Sequence, residues 1–133
     1  IMTFRILDKL GMDASSISKI ISAIGNHDES TASPVSPISA ALILADKSDV
    51  RRSRVRQQNS ADFDIHDRVN YAVTYREVVF EDNVFTLHLE IDNGICSIMD
   101  YFEIFMNRMI LCKKACEYLK IQFSLVINGT KMM

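Results

Sequence analysis

The chain has 133 residues and a mass of 15.1 kDa, the size of one ordinary domain. Apolar residues make up 48% and charged residues 24%, enough apolar material for a packed core, and no apolar run approaches the ~18–20 residues of a membrane-spanning helix. The 15 basic and 17 acidic side chains leave a net charge of -2, which argues against a dedicated nucleic-acid binder. Three cysteines (Cys96, Cys112 and Cys116) are an odd count without CxxC spacing, so a secreted disulfide scaffold is disfavoured and a reducing cytoplasm is the default compartment.

The opening Ile1-Met2-Thr3-Phe4 already lies inside an apolar-periodic stretch, which leads us to expect the downstream part of a longer protein. Phe4, Leu7 and Leu10 followed by Gly11 read as the tail of a helix. Asp13 is placed to cap a second helix, whose Ile17, Ile20, Ile21 and Ile24 form an i, i+3, i+4, i+7 stripe. Polar residues from His27 to Ser36, with Pro34 among them, read as a loop. Ser36-Pro37 then starts a third helix, in which Ile38, Ala41, Leu42 and Ala45 are expected to form the buried stripe and Asp46 to continue it.

Residues 51–61 read as a helix end and linker, and Asp64 caps a short helix through Ile65, Val69 and Val73. After Thr74 the period changes. Val78 and Phe80, then Phe85, Leu87, Leu89 and Ile91, alternate with polar residues around Glu81-Asp82-Asn83, the pattern of a hairpin. A long helix over about 95–119 carries Ile98, Phe102, Phe105, Met109, Cys112 and Cys116 on one face. Gln122–Ile127 reads as a last strand, stopped at Asn128-Gly129.

Three polar groups are not what a packed core asks for: His27-Asp28-Glu29, Asp46-Lys47-Ser48-Asp49, and the run Arg51, Arg52, Arg54 and Arg56. Imidazole and carboxylate are the usual ligands of a hydrolytic divalent ion, and guanidinium groups suit bidentate contact with phosphate. A buried Asp46 needs a partner, either a metal ion or one of Lys47 and Arg51 in a structural ion pair. Solvent exposure is the plainer reading of His-Asp-Glu, and a solvated helix end that offsets the dipole is the plainer reading of the arginines. Cys112 and Cys116 fit core packing, His66 and His88 read as structural, and Met99, Met106 and Met109 read first as core and second as an oligomer face.

The order of these features, an apolar helix into His27-Asp28-Glu29, a Pro-containing loop, then Ile43-Leu44-Ala45-Asp46-Lys47-Ser48-Asp49, resembles the second half of the HD-domain metal-dependent phosphohydrolase superfamily. Ser36–Arg56 and Asp64–Tyr71 look like one uncharacterised bacterial group within it. The resemblance implies an α+β chain made of the helical second half of an HD-type all-α domain followed by a small ββαβ tail. Residues 1–60 would be the half-domain, 61–74 a connecting helix and 75–133 the tail. It also implies Asp46 as a metal ligand and His27 as a ligand of a second metal or a phosphate contact. Lys47, Arg51 and Arg54 are candidate phosphate contacts on their chemistry. The implied cofactor is a divalent metal (Mn, Mg, Fe or Zn), and the implied substrate is a phosphomonoester or nucleotide. The earlier histidine and the adjacent His-Asp pair that name the superfamily are not in this sequence, so the chain by itself is expected to be inactive as a hydrolase. The competing expectation is a non-catalytic oligomerisation or ligand-sensing module, with a homo-oligomer expected in either case.

Overall fold

A computed structural model describes residues 1–133. Helices α1 (Met2–Lys9), α2 (Ala14–Gly25), α3 (Pro37–Lys47) and α4 (Ile65–Ala72) precede strands β1 (Val73–Glu81) and β2 (Val84–Ile91). Helix α5 (Ile98–Tyr118) and strands β3 (Gln122–Ile127) and β4 (Thr130–Lys131) complete the chain.

Local chemistry accounts for most of these boundaries. The Asp13 carboxylate accepts from the Ser16 amide at the start of α2. Reciprocal capping boxes, Ser36 with Ser39, Asp64 with Asp67 and Ser97 with Asp100, start α3, α4 and α5. Asp82 and Asn83 adopt φ of 51° and 61°, the left-handed pair that a two-residue hairpin turn between β1 and β2 requires. Strand β1 begins at Val73, one residue after α4 ends, so the short helix is slightly shorter than its apolar spacing suggests.

The sheet runs in the order β1-β2-β3-β4, with β1 and β2 antiparallel, β2 and β3 parallel, and β3 and β4 antiparallel. A parallel pair cannot be closed by a tight turn, and α5 supplies the crossover. The inward residues Leu87, Leu89, Ile91, Leu125 and Ile127 pack with Tyr101, Phe105, Met109, Cys112 and Cys116 of α5. Ala40, Ile43 and Leu44 of α3 belong to the same core.

That shared core corrects the expected architecture. The chain is a mixed α+β fold with a four-stranded sheet, not the half of an all-α HD domain carrying a separate tail. Helix α3 finds its main partner in α5, more than fifty positions later in the chain, because α5 presents an apolar face that the sheet does not fully cover.

The buried face of α3 is also rotated from its expected position. Ser39, Ala40, Ile43, Leu44 and Lys47 are buried, whereas Ile38, Ala41 and Ala45 are exposed and Leu42 is half-buried. Helix α3 is apolar on nearly every side, so spacing alone does not choose its inner face. Burial therefore falls on Lys47 rather than Asp46, the lysine covering core with its aliphatic stem. Helix α1 buries no residue at all, leaving Met2, Phe4, Ile6 and Leu10 exposed. No helix is long and apolar enough to cross a membrane.

Candidate functional site

Asp46 lies in the last turn of α3 with Lys47 beside it, and the Lys47 Nζ donates to Asp46 Oδ2 at 2.7 Å. The Lys47 side chain is 5% exposed and the Asp46 side chain 39%, so the ammonium is inside and its counter-ion opens to solvent. Of the partners weighed for Asp46, Lys47 is the one the fold supplies. Burial works against the carboxylate, but Lys47, His27 and Arg108 outweigh it and hold the Asp46 carboxyl below its ordinary range.

His27 follows the end of α2 and is half-buried. Its Nδ1 bonds the Ile24 carbonyl oxygen, which can only accept, so Nδ1 carries a proton and Nε2 is the ring nitrogen left without a partner in the fold. When the ring is neutral, that bond selects the tautomer a metal-binding imidazole uses, steadied by a backbone carbonyl. Glu29, two residues further, pairs with Arg108 of α5, and that guanidinium also lies 4.6 Å above the Phe105 ring. The Glu29–Arg108 pair fastens the loop after α2, which carries His27, onto α5.

Beneath this cluster lies Cys112, whose thiol is pushed up to about 12 by burial, with Cys116 pushed up to about 11. Neither thiolate forms near neutral pH, and all three cysteines are free and buried. They act as core. His66 is exposed, and His88 is half-buried on the sheet face away from α5.

The arginines go elsewhere. Arg51 Nε and Arg54 Nη1 close on the Asp49 carboxylate at 2.8 and 3.3 Å, and neither acts on Asp46. The Asn70 side chain, buried under this segment, accepts from the Arg51 amide and so holds the short 3-10 turn Arg52–Arg54 against α4. Arg52 Nε donates to the Tyr71 carbonyl at 2.7 Å, with its guanidinium carbon 4.2 Å above the Tyr71 ring. Of Lys47, Arg51 and Arg54, the candidate phosphate contacts, Lys47 bonds Asp46 while Arg51 and Arg54 bond Asp49. Arg108 is the cation the sequence reading missed, and no local signal marks it, since it lies in α5 and reaches the site through tertiary packing.

For a divalent ion, His27 and Asp46 offer one imidazole and one carboxylate, which fit in type. They do not fit in number. Nowhere in the chain do three His, Cys, Asp or Glu side chains converge, and Lys47 already engages one Asp46 oxygen.

Compared with known proteins, the chain matches no family model, and comparisons with curated proteins and solved structures give no significant match.

Proposed function

We propose that this chain contributes two residues of a metal-dependent phosphohydrolase site, Asp46 as a metal ligand and His27 as a second ligand or phosphate contact. What supports the reading is that His27, in the loop after α2, lies near enough to Asp46 of α3 for its charge to lower that carboxyl, with Lys47 bonded to the same carboxylate. Lys47 and Arg108 would balance charge on a phosphomonoester or nucleotide. The remaining ligands would have to come from outside these residues.

A second reading, a non-catalytic ligand-sensing or self-associating module, is supported by the Asp46–Lys47 ion pair and by the bare apolar residues of α1. One titration separates the two. Mn2+ added to the isotope-labelled chain broadens nearby NMR signals even when binding is weak. The hydrolase reading expects selective broadening at His27 and Asp46, lost in Asp46→Asn. Broadening that is absent, or unchanged by the substitution, favours the module.

A further inference from the structure

Away from Asp46 and His27, the surface carries two concavities that meet at Arg76. The first is an apolar groove of about 480 Å3 between α3, the hairpin and the end of α5, lined by Ala41, Ala45, Val78, Phe80, Phe85 and Ile121 among others. That volume is within the ~300–1,000 Å3 range of small-molecule sites. The second, about 210 Å3, is lined by Arg51, Arg52 and Ser53 on one side and by the start of β1, Val73 to Arg76, on the other, with no carboxylate residue in the lining.

Arg76 is what joins them. It occupies the inward row of β1, two residues before Val78 and opposite Leu89, where alternation calls for an apolar side chain. Its guanidinium donates to Ser48, through Nε to the carbonyl at 2.8 Å and through Nη2 to the hydroxyl at 3.1 Å, both neutral acceptors. Neither Arg76 nor Arg52 forms a salt bridge, and Arg51 shares Asp49 with Arg54. Positive charge is therefore in excess at one end of the groove, while the other end is uncharged.

We infer that the groove and the arginine pocket together form a binding site for a single-chain amphiphile with a phosphate head, the tail lying along α3 and the head held by Arg51, Arg52 and Arg76. Three arginines in the lining, of which only Arg51 is paired with a carboxylate, suit an oxyanion that accepts several hydrogen bonds, as phosphate does. An unbranched tail matches an open groove lined by Ala41 and Ala45 on the helix side and by Val78, Phe80 and Phe85 on the hairpin. The site uses neither Asp46 nor His27, so it does not depend on the hydrolase reading.

The test is calorimetric titration of the chain with dodecyl phosphate below its micelle concentration, beside inorganic phosphate and dodecyltrimethylammonium. The expected result is one-to-one binding of dodecyl phosphate at least about ten-fold tighter than either comparison, a difference of ~1.4 kcal/mol. Ala41→Glu and Arg51→Met alter exposed positions and leave the circular dichroism spectrum unchanged, and each weakens binding by about ten-fold or more. Arg52→Met gives the same loss. Equal binding of the cationic amphiphile, equal binding of inorganic phosphate, or insensitivity to Ala41→Glu would each overturn the proposal, as would no binding of any probe.

Discussion

Lys47 Nζ lies 2.7 Å from Asp46 Oδ2, so the most deeply buried ammonium of α3 is neutralised by its own sequence neighbour. Adjacent residues on a helix normally diverge, and the pair closes because Lys47 turns in over the core while Asp46 stays at the rim. This arrangement sets the ionisation of the carboxylate and its readiness for any other cation.

Replacing Lys47 by Met keeps the apolar stem and removes the charge. Burial acts upward on the Asp46 carboxyl and Lys47 acts downward, so without Lys47 the carboxyl rises from its lowered position. Carbon-13 titration of the Asp46 carboxyl in Lys47→Met measures that rise. If the hydrolase reading holds, the same variant shows stronger Mn2+ broadening at Asp46.

Acid sensitivity follows with a definite sign. The Asp46, Asp13 and Asp100 carboxyls all titrate below their ordinary values in the folded chain, Asp13 and Asp100 because amide hydrogens bond them at helix starts. The unfolded chain then binds more protons at moderately acid pH. Stability is fully present above the unfolded carboxyl value near ~4 and falls as pH drops through the lower folded values. Asp46→Asn is expected to flatten part of this decline, and adding Asp13→Asn and Asp100→Asn, which keep good caps, flattens it further. Urea unfolding at a series of pH values between neutrality and strong acid checks the slope.

Asn128 joins the end of β3 to the end of β2. Its Oδ1 accepts from the Ile91 amide at 2.7 Å and its Nδ2 donates to the Ile91 carbonyl at 3.1 Å. Its backbone φ is 50°, a left-handed conformation that Asn tolerates and Ala resists. Asn128→Ala should therefore cost about 2–3 kcal/mol, combining an unpaired buried amide with backbone strain. Asn128→Gly loses the bonds without the strain and should cost less. Chemical denaturation of both variants separates the two contributions.

The thiols give a probe of opening. Cys112 and Cys116 are fully buried, with their thiols pushed up to about 12 and about 11 by burial. At pH 8 the native chain is expected to resist a thiol-specific disulfide reagent, and all three cysteines should react at once in denaturant. Rapid labelling of Cys112 under native conditions would show that α3 separates from α5 easily.

Much of the local structure was legible in the sequence. Asp13, Ser36 and Asp64 each begin a helix, as capping chemistry requires, and the alternation from Val78 to Ile91 around Asp82-Asn83 forms the hairpin. Part of the candidate site was legible too, because the order of His27 and Asp46 around a loop is a sequence property. The set of cations beside them was not. Arg51 and Arg54 are close to Asp46 in sequence, yet they fold onto Asp49, while Arg108 arrives from α5.

By itself, then, the sequence determined where most helices begin and where the hairpin turns, since caps, turn residues and apolar periods act within a few residues of one another. Only the tertiary structure decided which side of α3 turns inward, and so put Lys47 inside and Asp46 at the rim. It also decided that Glu29 would meet Arg108, 79 positions away, and that Arg76 would stand between an apolar groove and a cationic pocket. The physical reason is that a helix apolar on most sides carries no preferred inner face of its own. Its orientation, and the partners of every charge upon it, are fixed by what packs against it.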